Sequence, residues 1–274
     1  MELKYFLKNN EICPISEAVI SLFNIEHSYG FGVYENVRVK NSIPFFINDH
    51  VERLFKSAEA IGLEHQFTED GIIKCTKQLI EKLEIKTLNL KMLLIGAKER
   101  KDSCLYVLPL SPHFPDEKFY RDGVKTITKK YERWLPQAKT LNMLPSYIYY
   151  SEAKKNNCYD VLFLDKDDCI IEGSRTNFFA MTGKTIITAP EERVLSGVTR
   201  KHVITVAKKN GYDVQEKTIA INDLKKYQSV FLTSTSSKIM PVRMIDKMEF
   251  AGPTKELKEL IKNFDEYLKS QEAA

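Results

Sequence analysis

An α+β fold is the first reading of this chain, and three observations predict it. Short alternating or wholly apolar runs recur along its 274 positions, mixed with stretches of helical period. The two kinds do not alternate as regular strand–helix–strand units, which argues against a doubly wound parallel sheet. A stretch punctuated by Pro109, Pro112 and Pro115 divides the chain into an N-terminal α/β domain (1–115), a linker (116–122) and a larger C-terminal domain (123–274).

Taken in order, residues 5–7, a turn over 8–11 and the run from Ile12 predict a hairpin. Residues 31–40 alternate well enough for a strand, and Asn41-Ser42 turns the chain into the apolar run 43–47. Asn48 and Asp49 can cap a helix whose apolar positions, Val51, Leu54, Phe55, Ala58 and Ile61, recur at helical spacing before Gly62. A second helix is predicted over 69–83, and strands over 90–95 and 105–108 flank a charged turn at 98–102. Beyond the prolines, strands are predicted at 124–129, 161–164, 170–171, 177–181, 185–188 and 229–233. Helices are predicted over 145–156, 199–210 and 254–269. No repeat or low-complexity segment is visible.

Composition narrows the function classes. With 43% hydrophobic and 28% charged residues, the chain is an ordinary globular one, long enough to bury a sizeable core. A formal net charge of +4 is too small to argue for a nucleic-acid partner, and no basic block with interleaved aromatics occurs. The five cysteines are widely spaced and form no C-x-x-C pair, so reduced thiols in the cytoplasm are expected rather than disulfides or zinc. The five histidines show no metal-ligand spacing, and no metal is expected. The opening residues lack the apolar core of a signal peptide, and no apolar run approaches the roughly 18 residues of a membrane span.

The chemistry centres on Pro136-Gln137-Ala138-Lys139-Thr140-Leu141-Asn142, where an amine sits among uncharged neighbours. A lysine shielded from water is more readily neutral, and a neutral amine attacks an aldehyde to form a Schiff base. The apolar run ending in Ile170-Ile171 leads into Glu172, a carboxylate suited to a protonated pyridine nitrogen. A phosphorylated cofactor also needs fixed donors, and three stretches offer them. Leu195-Ser196-Gly197-Val198-Thr199-Arg200 opens a helix, Thr233 to Ser237 is an unbroken run of hydroxyl residues, and Arg53 borders a helix's apolar stripe. Each has an ordinary explanation alone: a surface lysine, a helix start, a solvated loop, an exposed arginine. Only their combination carries weight.

Together these stretches resemble the class IV (fold type IV) aminotransferases that use pyridoxal 5'-phosphate (PLP), the branched-chain and D-amino-acid enzymes, with aminodeoxychorismate lyase as a relative. The matching pieces are H-S-Y-G-F-G-V-Y-E-N-V-R-V at 27–39, H-V-E-R-L-F-K-S-A at 50–58, K-T-L-N at 139–142 and E-A at 152–153. I-E-G-S-R-T-N-F-F at 171–179, L-S-G-V-T-R at 195–200 and F-L-T-S-T-S-S-K-I-M-P-V at 231–242 complete a set covering nearly the whole chain. The resemblance implies that Lys139 bonds PLP and shuttles a proton, and that Glu172 keeps the ring nitrogen protonated. It implies that Arg53, Ser174, the backbone of Val198 and Thr199, and Thr235 hold the cofactor. Tyr29, Tyr34, Arg38, Lys91 and Ser236 fall at positions on the substrate side. The implied fold is a small N-terminal α/β domain and a larger C-terminal pseudo-barrel with PLP between them, a homodimer completing each site.

The chain departs from its relatives mainly where substrate is chosen. A tyrosine usual in branched-chain enzymes is replaced by Leu144, and their G-T-A reads Ser234-Thr235-Ser236, nearer the D-amino-acid pattern. The R-x-H carboxylate trap of the D-amino-acid enzymes has only Arg100-Lys101-Asp102 as its counterpart. Lys91 matches an arginine of many branched-chain enzymes and a lysine of the lyases, whereas the lyases' catalytic threonine is replaced by Asn36. The expectation is a transaminase taking an L-branched-chain amino acid and 2-oxoglutarate, with a D-amino-acid aminotransferase as the alternative. A PLP lyase ranks below these, and a non-catalytic PLP-binding protein last.

Overall fold

The computed structural model describes residues 3–21, 23–112 and 114–272. The predicted hairpin forms from β1 (Tyr5–Lys8) and β2 (Glu11–Pro14), joined through Asn9 and Asn10, both at positive φ. After a short helix α1 (Ile25–Ser28) comes β3 (Gly32–Lys40), and Asn41 and Ser42, again at positive φ, turn the chain into β4 (Ile43–Pro44). Helix α2 (Ile47–Ala60) corrects the expected Asn48–Asp49 cap. Phe46, at φ 54°, takes the cap position without a side-chain hydrogen bond, because burial of Phe45 and Ile47 sets where the helix begins. Helix α3 (Glu69–Leu83) is capped by Thr68, whose hydroxyl accepts from Gly71 N at 3.2 Å.

Strands β5 (Thr87–Ile95) and β6 (Cys104–Leu110) complete a sheet ordered β2-β1-β6-β5-β3-β4, antiparallel at every pair. Alternation decides its faces: Val33, Val37 and Val39 of β3, with Leu88, Leu90, Met92 and Leu94 of β5, bury against Val51, Leu54, Ile72 and Leu79 of the two helices. Residues 138–142 add to the edge of β3. Tyr34 N donates to Lys139 O and Leu141 N to Gly32 O, each at 2.9 Å, and Val33 bridges Thr140. The first unit is therefore Met1–His113 with Ala138–Asn142, and the second is Phe114–Gln137 with Met143–Ala274.

In the second unit the stretch read as a linker holds helix α4 (Glu117–Asp122), capped by Asp116, which accepts from Lys118 N at 3.0 Å. Then follow β7 (Val124–Lys130), α5 (Leu144–Lys155), β8 (Asp160–Leu164), β9 (Cys169–Gly173), β10 (Asn177–Thr182) and β11 (Thr185–Thr188). Helix α6 (Val198–Lys209) leads to β12 (Asp213–Glu216), β13 (Ile219–Ala220), β14 (Ser229–Ser234), β15 (Lys238–Ile245), β16 (Met248–Glu249) and α7 (Lys255–Glu272). Strand β15 escapes sequence reading because Pro241 interrupts it; the proline lies just before pairing with β7 starts at Val242.

The sheet of this unit closes on itself. β10, β14, β15, β7, β8 and β9 are successive neighbours, and β9 returns to β10 through the single pair Glu172–Asn177. Each strand of the ring contributes to one buried cluster, with Val124, Leu162, Ile170, Phe178, Leu232 and Met240 among its members. Among the described residues, no helix is long and apolar enough to cross a membrane.

Phe179 and Phe231 are opposed on β10 and β14, fully buried, and stacked at 4.8 Å with 3° between their planes. Phe231→Ala is expected to lower the free energy of unfolding by roughly 3–5 kcal/mol, read from denaturant titration. A loss below about 1 kcal/mol would show that the pair is not a principal packing element.

Candidate active site

In the first unit Lys139 is held by its backbone on two sides: its N–H donates to the buried Ser57 hydroxyl at 3.0 Å, and its carbonyl accepts from Tyr34. The half-buried side chain lays Nζ over the Tyr34 ring, 4.5 Å from its centre. Lys91 Nζ approaches the same ring at 5.5 Å. Cations favour the face of an aromatic ring, so Tyr34 gathers both amines, and among the described residues no carboxylate forms an ion pair with either. Arg38 stands farther along β3 in the same alternation phase as Tyr34, at a half-buried position. Tyr29, by contrast, is 83% exposed and contributes to none of these contacts.

The opposite phase of β3 carries a buried ionic cluster that the sequence motifs do not reveal. Glu35 lies between Val33 and Val37, pointing into the core, and is fully buried. Arg53 grips it as a fork, Nε to Oε1 at 2.6 Å and Nη2 to Oε2 at 2.8 Å, while His50 Nδ1 lies 2.7 Å from Oε2. Burial opposes ionisation of Glu35, but Arg53 and His50 outweigh it and hold this carboxyl well below the usual carboxylate range. Burial pushes His50 down, only partly offset by Glu35. His50 is thus assigned as a neutral ring donating from Nδ1, since the carboxylate can only accept. A carboxylate in the inward phase of an apolar strand was the signal available in the sequence.

In the second unit Glu172 sits at the ring-closing pair and is almost wholly buried. Its Oε2 accepts from Leu195 N at 3.2 Å, and Arg133 Nε stands 3.0 Å from Oε1. Asn177, opposite Glu172, donates to Leu195 O at 2.8 Å and packs on Gly197, where any Cβ would fall 2.1 Å from Asn177 Oδ1. Glycine is required there for close approach, and as N-cap of α6 it offers no side chain to the amides of Val198 and Thr199. Thr233, paired with Asn177 across β10 and β14, has a buried hydroxyl without a hydrogen-bond partner.

The expected phosphate turn follows. Ser234 Oγ organises it, contacting Ser237 Oγ at 2.6 Å and Ser236 Oγ at 3.3 Å, and leaves Thr235 half-buried at the tip. The fully buried hydroxyl of Ser174 donates to Asp160, and its carbonyl accepts from Arg133 Nη2 at 2.9 Å, which secures the turn after Glu172. Arg133 carried no signal in the sequence, being one basic residue among many.

Each unit by itself holds groups suited to part of a phosphorylated pyridine aldehyde: the first an amine and an arginine, the second a buried carboxylate, an uncapped helix start cradled by Gly197, and an orphaned hydroxyl. Among the described residues, no cluster of His, Cys, Asp and Glu could hold a metal ion.

The Glu35 cluster makes a pH-dependent contribution with a definite sign. A carboxyl depressed in the fold stabilises it above the ordinary value near 4.3, and that contribution is lost as pH falls towards the depressed value. Glu35→Gln leaves Arg53 as an uncompensated charge and is expected to cost about 3–5 kcal/mol at neutral pH. Unfolding titrations should show the gap from the parent narrowing below about pH 4; a gap independent of pH would contradict the assignment.

A sequence profile of the class IV amino-transferases matches residues 32–245. The chain is 30% identical over 251 residues to a D-alanine aminotransferase of Bacillus licheniformis, covering 88% of each. It is 26% identical over 283 residues to a putative branched-chain-amino-acid aminotransferase of Methanocaldococcus jannaschii, covering 95% of this chain and 96% of that one. The fold matches the branched-chain aminotransferase of Thermoproteus uzoniensis crystallised with norvaline at TM-score 0.88 and 21% identity, over 98% and 95% of the two chains. It matches the PLP form of the Thermobaculum terrenum branched-chain enzyme at TM-score 0.87 and 22% identity, over 98% and 94%. The profile spans most of the chain and the relatives cover nearly all of it, and on these the protein belongs to the class IV aminotransferases.

Proposed function

We propose that this aminotransferase uses PLP to move an amino group from an L-branched-chain amino acid to 2-oxoglutarate. The observation that carries the reading is Lys139: an amine fixed through its backbone, half-buried on Tyr34, in a chain of this family. PLP, when bound, supplies an electron-poor ring that makes the substrate Cα–H acidic. The protein supplies the rest. Lys139 Nζ is the amine for the cofactor's aldehyde carbon and the base that takes and returns the Cα proton. Glu172 holds a proton at the ring nitrogen. Arg53, the amides of Val198 and Thr199, and Thr235 bind phosphate, and Tyr34, Arg38, Lys91 and Ser236 face substrate.

The L preference rests on Arg100. Its Nε donates to His65 O at 2.7 Å, Lys101 and Asp102 follow where a trap would need histidine, and it lines an open groove with Glu52, Glu59 and Glu64. A D-amino-acid donor is the second reading, favoured by the Bacillus licheniformis relative and by the hydroxyl-rich 233–237 turn. Aminodeoxychorismate lyase activity ranks lower, because Asn36 stands where the lyases carry threonine.

A homodimer is proposed on the apolar groups left exposed within each unit: Val19, Phe23 and Tyr29 in the first, Leu144, Tyr147 and Ile148 along α5 in the second. Tyr29 would then serve the site from such an interface. The free thiols of all five cysteines suit a cytoplasmic location.

Borohydride reduction of PLP-loaded protein followed by peptide mapping is expected to place the pyridoxyl group on Lys139; any other lysine sinks the site. Half-reactions with L-leucine, L-valine, D-alanine and D-glutamate should show the L-amino acids converting bound cofactor fastest. Faster D-donors would replace the first donor reading with the second.

A further inference from the structure

The Glu172 carboxylate does not stand alone, and its neighbour was absent from the expected machinery. Arg133 is largely buried beyond the end of β7. The chain is led to it by Tyr131, whose N–H extends the β7–β8 pairing onto Leu164 O at 3.0 Å and whose ring packs on Phe163 and Tyr149 at 4.9 and 5.8 Å. The guanidinium then spans two points on either side of Gly173: Nε lies 3.0 Å from Glu172 Oε1, and Nη2 donates to Ser174 O at 2.9 Å. Ser174 is itself immobilised by Asp160 and by its N–H to Val161 O at 3.0 Å. Arg133 therefore has a fixed position against the carboxylate. Its Nε–H is not aligned as a hydrogen bond, so the contact is chiefly Coulombic.

The other charged groups lining the cavity beside Glu172 are engaged elsewhere or carry its own sign. A cavity of about 240 Å³ beside the carboxylate is lined by Tyr131, Glu132, Arg133, Glu192 and Arg193. Arg193 is engaged by Asp165 at 2.7 Å and Glu132 at 3.5 Å, and Glu132 and Glu192 carry the same sign as Glu172. Tyr131 is pushed up by burial and stays neutral near pH 7. Arg133 is thus the cation among these groups that is paired directly with Glu172.

We propose that Arg133 is a positioning residue that keeps Glu172 in its carboxylate form, so that the proton these two groups govern resides on the cofactor's ring nitrogen rather than on Glu172. The proposal rests on the reading of Glu172 given above. A proton shared between a carboxylate and a ring nitrogen has two locations. A cation 3.0 Å from the carboxylate oxygen favours the arrangement in which the carboxylate keeps its charge. Arg133 touches neither substrate nor cofactor in this role; it acts through Glu172.

The test compares Arg133→Gln, Arg133→Lys, Arg133→His, Glu172→Gln and Arg133→Gln/Glu172→Gln as PLP-loaded proteins. The readouts are the pH titration of the bound cofactor's visible band and its rate of conversion by the fastest donor. Arg133→Gln should slow conversion by roughly ten- to a hundredfold, the worth of one charge-assisted contact, and shift the titration midpoint. Arg133→Lys, which keeps the charge and loses the fork, should recover most of the rate. The double variant should be no slower than Glu172→Gln.

Should Arg133→Gln not fold, the histidine variant replaces it: parent-like below about pH 6 and impaired above about pH 7.5, as its own charge is lost. A parent-like rate and titration in Arg133→Gln, a constant ratio of Arg133→His to the parent across that range, or a double-variant loss that multiplies the two single losses would each overturn the proposal. If Glu172→Gln itself matches the parent, the reading of Glu172 falls and takes the inference with it. Impairment in Glu172→Gln without impairment in Arg133→Gln overturns the inference alone.

Discussion

A carboxylate withdrawn from water must find a positive partner, and that constraint organises both units. In the first, Glu35 sits in the core phase of β3 and binds α2 to the strand through Arg53 and His50. In the second, Glu172 stands where β9 meets β10, and Arg133 couples it to the turn over residues 173–176. Each pair contains one residue expected to meet the cofactor and one that the motifs did not reveal. Removing either partner leaves its mate charged and dry, so each site group depends on a neighbour as much as on its own fold position.

The legible part of the chain was what periodicity records. Helix α3 appears over the residues its spacing predicts, and the alternation of residues 31–40 becomes β3, since burying one face of a sheet or helix leaves a trace in the pattern. Strand β15 was lost at Pro241, where a local rule is relaxed by position in the sheet. The cap of α2 was misplaced because apolar packing of Phe45 and Ile47 prevailed over a plausible polar cap. The stretch over 116–122 is helical because Asp116 supplies a cap after the prolines end.

For the candidate site, the sequence could nominate residues inside recognisable motifs but not the groups that support them. Lys139, Glu172 and Gly197 sit in short strings whose chemistry can be argued from residue type. Asn177 lies within one of those strings, yet its role emerges only when the β9–β10 pair and the glycine beneath it are seen together. Ser174 also lies within a motif, and its hydrogen bond to Asp160, fourteen positions earlier, is likewise seen only in the fold. Proximity in space, which one sequence does not display, separates these cases.

The placement of residues 138–142 has a consequence for the order of assembly. They lie on the edge of β3, more than a hundred positions earlier in the chain, and the segments on either side of them belong to the other unit. During synthesis the first sheet can gather its hairpin, strands and both covering helices while that edge is still bare. The amine arrives afterwards, as the last strand-like piece laid on a finished sheet. A nascent chain halted before Ala138 would thus present the β3 edge without residues 138–142, so Lys139 and the strand-like piece that carries it reach the sheet together.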